Sequence, residues 1–260
     1  MKLPASLRRL SERVSRNVAL RRRLPAHLGG GVLHVSPGAA LCYYRGLEGP
    51  IWRELYDFAE HCVPRCGTVW DVGASMGVFA FAAAHVAGPG GNVLAVEADS
   101  WAVEFLKKSA AAPRIGAAPV QVLCAAVAGQ HGIQGLDIPE RGRAGSHLAQ
   151  SGGAGGSLLG GTRESHPVVT LTLDWLAEKT HPPAVIKLDV EGAELAALQG
   201  GAHVLATHRP ALFVEVHERN ADATTALLHG HGYTLFDLSG GWANRTEARR
   251  ALYNTLALPP

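Results

Sequence analysis

Thr68-Val-Trp-Asp-Val-Gly-Ala-Ser-Met-Gly77 is the stretch from which the fold is read. An apolar strand ends in an acid and turns through glycines into a further apolar run from Val78. Gly73 and Gly77 stand where a chain must turn tightly and bring its backbone close to a ligand. Alone, such a turn also serves plain strand-to-helix connections. The next strand makes the pattern specific, because Asn92 to Val96 ends at Glu97, twenty residues beyond Gly77. A carboxylate there can accept hydrogen bonds from both hydroxyls of a ribose.

A dinucleotide site places its glycines to cradle a pyrophosphate, whereas here Asp71 sits inside the turn and suits a cationic ligand. S-adenosylmethionine carries a sulfonium and an α-amino group, so Asp71 near its methionine part and Glu97 on its ribose make chemical sense together. The plainer alternatives are a helix cap for Asp71 and an exposed strand end for Glu97. After the third strand, Val120 to Cys124, the small residues Ala125 and Ala126 would let an adenine ring lie flat, although an ordinary packed strand exit explains them equally well. The cofactor contacts expected are Asp71, Gly73, Ala74, Ser75, Gly77, Glu97, Ala98, Ala125, Ala126 and Asp189.

Outward from this turn, short apolar runs alternate with helical stretches, the signature of βα units around a parallel sheet. Strands are expected at Thr68–Val72, Asn92–Glu97, Val120–Cys124, Val168–Leu171, Ala184–Asp189, Ala211–Val216 and Tyr233–Leu238. Helices are expected at Val78–Val86, Trp101–Ala110, Leu173–Glu178, Ala193–Ala206 and Ala221–Gly230, and Ile51–Cys62 has apolar residues on one helical face. Between Gly129 and His166 the pattern weakens, and the tract Ser151–Ser157 reads as either a lid or a connector. Two parts are expected: 1–50, a basic helix with a cap segment that includes a strand-like Val32–Val35, and 51–260, the cofactor-binding domain.

Composition narrows the function classes. With 47% hydrophobic and 18% charged residues, the 260-residue chain fits a globular protein with a buried core. The formal charge of +2 gives no nucleic-acid footprint, and much of the positive excess sits at Arg8, Arg9, Arg13, Arg16 and Arg21 to Arg23. That stretch reads as a solvated helix face with Leu7, Leu10, Val14 and Val18 docked on the domain. No run of about 18 apolar residues appears, so no membrane span and a cytoplasmic location are expected. Cys42, Cys62, Cys66 and Cys124 lack zinc spacing and read as reduced thiols.

Ala184-Val-Ile-Lys-Leu-Asp-Val-Glu-Gly-Ala-Glu194, followed by Leu198-Gln-Gly-Gly201, resembles the diagnostic motif of the FkbM-type methyltransferases. With Asp71–Gly77, Val169–Trp175 and Phe213–His217, the resemblance covers roughly 68–238. It implies a Rossmann-like class I methyltransferase fold: an α/β protein with a seven-stranded, mostly parallel sheet, an antiparallel last strand pair and helices on both faces. It also implies methyl transfer from S-adenosylmethionine to a hydroxyl of a natural product or sugar. The chain departs mildly from the family pattern at Ser75, where Asn is common, and at Ala98, where Pro often follows the ribose-binding acid.

If the acceptor is a hydroxyl, a group at the carboxyl end of the sheet should accept its proton. Asp189 and Glu191 are candidates to deprotonate and bind the acceptor, with Glu194 read as a first-turn acid of the following helix. His217, near Glu215, is a candidate base or a plain polar strand terminus. Asp189, Glu215 and His217 together are a less favoured site for a divalent ion. Lys187 is read as closing the sheet edge or pairing with an acid, and His131, His147 and His166 fall in the irregular stretch. The acceptor is a small molecule, and a homo-oligomer is left open. Competing readings are an N-methyltransferase of a small amine, a nicotinamide-dependent oxidoreductase and a noncatalytic scaffold.

Overall fold

The computed structural model describes residues 14–15, 18–151 and 161–260. An antiparallel ribbon of β1 (Leu20–Arg23) and β2 (Val32–Val35) comes first, then α1 (Arg53–Cys62). The chain proceeds through β3 (Thr68–Val72), α2 (Val78–Ala87), β4 (Asn92–Glu97), α3 (Ser100–Ala110) and β5 (Val120–Cys124). Four strands follow: β6 (Ala126–Val127), β7 (Gly132–Pro139), β8 (His147–Leu148) and β9 (Thr162–Leu171). The last part holds α4 (Leu173–Lys179), β10 (Val185–Leu188), α5 (Glu194–Gln199), β11 (Ala211–Glu215), α6 (Ala221–Gly230), β12 (Thr234–Asp237), β13 (Thr246–Ala248) and β14 (Asn254–Leu258).

The main sheet has the order β13-β12-β14-β11-β10-β3-β4-β5. Its β5, β4, β3, β10 and β11 run parallel, and β14 inserts antiparallel between β11 and β12. The strands at its centre are continuous apolar runs because helices cover both faces. Val69, Ala95, Val185 and Phe213 pack on one face with residues of α1, α2 and α3, while Trp70, Val72, Ile186 and Leu188 pack on the other with α4, α5 and α6. Helix α2 is apolar almost all round, since it lies between the sheet and α1.

The α/β class and the mostly parallel sheet are as expected, but the sheet has eight strands rather than seven. One of the seven expected strands, Val168–Leu171, instead ends β9 in a second sheet of order β6-β9-β7-β8. Its place in the main sheet is taken by β14, and β13 adds an edge beyond β12. The stretch read as irregular is therefore organised: β7 and β9 pair antiparallel from Gly132 opposite Thr170 to Pro139 opposite Thr162, and Leu136, Ile138, Leu148 and Val168 form a small core beneath. The expected helix Ala193–Ala206 is broken by Gly200 and Gly201, whose added Cβ atoms would lie 2.8 Å from the Ala128 carbonyl oxygen and 2.8 Å from Leu173 Cδ1. After them the chain resumes as a π-helical turn, Val204–His208.

The N-terminal expectation also changes. Arg21 to Arg23 lie in strand β1, not a helix, and Val14 is 67% exposed rather than docked, while Ser15 beside it is buried with its hydroxyl 2.8 Å from that of Tyr44. Arg8, Arg9, Arg13, Arg16, Leu7, Leu10 and all but the first residue of the Ser151–Ser157 tract lie outside the described residues. Among those described, no helix is long and apolar enough to cross a membrane, and the four cysteines are free.

Phe58 of α1 stacks on Phe79 of α2 at 5.4 Å and lies 5.5 Å from the ring of Phe213 on β11, fully buried. This triplet fastens α1 to α2 and the sheet. Phe58→Ala should cost about 3–5 kcal/mol, read as a lower denaturant midpoint with an unchanged slope.

Candidate active site

The turn after β3 owes its shape to backbone conformations that few residues adopt. Gly73, Ser75 and Gly77 have φ of 75°, 48° and 82°. A Cβ at Gly73 would lie 1.7 Å from the carbonyl oxygen of Asp189, so only glycine lets the β3 and β10 loops approach this closely. Left-handed backbone at position 75 also gives a physical reason for the family's Asn, a residue that tolerates this region better than Ser.

Hydrogen bonds hold the loop tightly. The amides of Gly73 and Ala74 both donate to the Val96 carbonyl, at 2.9 and 3.0 Å, and that of Gly77 donates to the Ala74 carbonyl at 2.7 Å. The amide of Ser75 donates to Glu97 Oε2 at 2.6 Å, while that of Asp99 donates to Oε1 at 2.8 Å. Glu97 is thus a fixed acceptor rather than an exposed strand end, and burial pushes its carboxyl up to about 7. Asp71 is 1% exposed and caps α2, its Oδ2 accepting from Ala80 N at 3.0 Å, and burial raises its carboxyl too.

Lys187 faces Asp71. Its ammonium donates to the Gly73 carbonyl at 2.8 Å and lies 3.1 Å from Asp189 Oδ2 and 3.6 Å from Asp71 Oδ1. Burial alone would lower the ammonium, but Asp189 and Asp71 raise it above its ordinary range. The residue pairs with two acids as one expectation had it; it does not close an edge, since β10 lies between β3 and β11.

Beyond β10 lies a carboxylate group. One oxygen from each of Asp189, Glu191 and Glu215 lies within 4.8 Å of the others. Burial and the neighbouring acids push Glu191 up to about 9 and Glu215 up to about 7. Tyr253, on the turn before β14, donates its hydroxyl to Glu215 Oε1. Glu194 is a scaffold acid, fully buried, with Oε1 accepting from Gly192 N at 2.8 Å and Val190 N at 3.2 Å. His217 stands behind this group: its Nε2 is buried, lacks a hydrogen-bond partner and lies 3.9 Å from Glu191 Oε2, and burial lowers its imidazole. A divalent ion would thus find Glu191 where the sequence suggested His217.

A cavity of about 600 Å³ joins these groups. Ala125 and Ala126, Glu97 and Ala98, Asp71 to Ser75, Asp189, Glu191 and Glu215 all line it, following the strand order β5, β4, β3, β10, β11. Gly77 and His217 do not; a Cβ at Gly77 would lie 2.7 Å from Leu106 Cδ2, so this glycine packs the loop against α3. The remaining walls were not foreseen. Tyr43, buried near Ser75, comes from the segment before α1 with Trp52, and Glu54 from the first turn of α1; Glu54 accepts from Asn254 Nδ2 at 2.6 Å. Arg143 comes from the second sheet's connection; its Nη2 lies 2.9 Å from Asp99 Oδ1 and its guanidinium 5.0 Å from the centre of the Trp101 ring. These residues are remote in sequence and carry no motif. Of the three histidines left open, His147 alone is buried at the cavity; His166 pairs with Glu164 and His131 packs beside Trp175.

The residues present fit S-adenosylmethionine. Each oxygen of Glu97 keeps a lone pair for a ribose hydroxyl, the turn offers carbonyls and carboxylates rather than free amides to an amino acid's ammonium, and the alanines leave flat space. Below about pH 7 Glu97 takes up a proton and loses an acceptor position. The dissociation constant for S-adenosylhomocysteine should therefore rise several-fold from about pH 8 to about pH 6, by calorimetry, and Glu97→Gln should flatten that dependence.

A profile of the "Methyltransferase FkbM domain" matches residues 71–235. Among solved structures, a methyltransferase FkbM from Methylobacillus flagellatus KT shares the fold at 15% identity and a TM-score of 0.50, covering 81% of this chain and 50% of its own. The chain thus spans about half that protein's length. Two weaker likenesses are a precorrin-6y C5,15-methyltransferase from Geobacter metallireducens GS-15 (14% identity, TM-score 0.43, 80% and 87% covered) and an S-adenosylmethionine-dependent methyltransferase from Agrobacterium tumefaciens (12%, 0.41, 92% and 69%). No curated protein matches. The profile match takes in both Asp71–Gly77 and the Ala184–Glu194 motif and extends over more than half of the sequence: the chain belongs to the FkbM family of S-adenosylmethionine-dependent methyltransferases.

Proposed function

We propose that this chain transfers a methyl group from S-adenosylmethionine to a hydroxyl of a small molecule, a natural product or sugar. The observation that carries the reading is one cavity holding both a fixed ribose acceptor, Glu97, and an acid group beyond the glycine turn, Asp189, Glu191 and Glu215. S-adenosylmethionine supplies an activated methyl group, so the protein has chiefly to align the acceptor and receive its proton.

Glu215 is suited to receive it, because a carboxyl pushed up to about 7 exchanges protons near neutrality. Glu191, pushed up to about 9, keeps its proton there and can donate a hydrogen bond to the acceptor oxygen. Asp189, held by Lys187, offers a second acceptor for orienting the hydroxyl. His217 serves as backing for Glu191 rather than as the base, since it does not line the cavity. No step needs a divalent ion.

The committed amides of the glycine turn count against the nicotinamide reading, which would need them for a pyrophosphate. An amine acceptor remains the second reading, because an acid-rich wall also attracts a cation.

With methyl-labelled S-adenosylmethionine, a panel of methyl glycosides should accept label at oxygen, and the matched amino glycosides should accept it no faster at nitrogen. Label appearing only on nitrogen would replace the hydroxyl reading with the amine one. Glu215→Gln should lower kcat about 100-fold or more while leaving S-adenosylhomocysteine affinity within about threefold.

A further inference from the structure

Among the described residues, Lys187 is the one cation at the cavity's carboxyl groups that touches both of its halves. Its strand, β10, is buried on both faces, and Lys187 stands in register between Asp71 on β3 and Phe213 on β11. From there the ammonium reaches the Gly73 carbonyl at 2.8 Å and the Asp189 carboxylate at 3.1 Å. A lysine whose task was only to neutralise Asp71 would need neither contact, and Asp71 Oδ1 is the most distant of the three partners at 3.6 Å.

We propose that Lys187 is a positioning residue that fixes the Gly73 peptide of the cofactor turn against Asp189 on the acceptor side, so that the two halves of the site keep one spacing. The proposal rests on the cofactor reading above. The amide of Ala74 ties that same peptide to the Val96 carbonyl at 3.0 Å, so the ammonium and Val96 hold it at both ends. Without the ammonium, the Gly73 carbonyl loses its side-chain donor in a turn that already has φ of 75°. Asp189 would lose the group that anchors it beside Glu191 and Glu215.

The test separates positioning from simple charge balance. Lys187→Met removes the ammonium at similar volume, and Asp71→Asn removes the carboxylate it would otherwise leave alone while retaining a cap for Ala80 N. Both single variants and the Asp71→Asn/Lys187→Met double variant are examined as full chains, by melting temperature and by calorimetry with S-adenosylhomocysteine. The double variant should regain the parent melting temperature to within a few degrees, yet bind S-adenosylhomocysteine at least about tenfold more weakly than the parent and than Asp71→Asn alone. Parent-like affinity in the double variant would overturn the proposal, because Lys187 would then serve only to balance Asp71. Should the Met variants fail to fold, Lys187→Arg decides: it keeps the charge with a different reach, so weakened binding in a stable protein supports positioning and unchanged binding overturns it. A parent protein that ignores S-adenosylhomocysteine but binds NAD would instead sink the cofactor reading itself.

Discussion

An isolated lysine ammonium in the middle of a parallel sheet is among the least favourable things a protein can bury, with an effective penalty of several kcal/mol. Lys187 is kept there by Asp71 and Asp189, and each of those carboxylates is in turn accommodated by the ammonium. The arrangement is mutual, and it lies where the β3 and β10 loops come nearest. Gly73 allows the backbones to touch and the ion trio holds them there. The cofactor turn, the acid group beyond β10 and the cavity between them all take their relative positions from this contact.

Burial and crowding then set the acid chemistry. Burial is the larger cause of the raised proton affinities of Glu191 and Glu215, and the neighbouring carboxylates, within a few ångströms of one another, add to it. Glu97 is raised by burial too, against the pull of its two backbone donors, which favour the charged form. One pocket therefore contains carboxyl groups with distinct protonation behaviour although their side chains are alike.

Local signals carried much of this into the sequence. The Thr68–Val72, Asn92–Glu97 and Val120–Cys124 strands stand where apolar runs and their ends placed them, since buried parallel strands leave an unmistakable continuous pattern. What escaped depended on partners distant in the chain. Val168–Leu171 has the composition of a core strand, yet its partner is β7, and nothing local distinguishes the two sheets. β14 carries no motif, and its place between β11 and β12 rests on antiparallel pairing with both of them rather than on a local signal. His217 lies 3.9 Å from Glu191, off the cavity wall, a placement that its position at a strand end does not reveal. Tyr43, Arg143 and Asn254 reach the site from segments without a motif, and only assembly reveals them.

The glycine turn hands its own amides inward, to Val96, Ala74 and Glu97. Phosphate groups are held largely by such donors. Four of them, from Gly73, Ala74, Ser75 and Gly77, are spent on the shape of the turn itself before any ligand arrives.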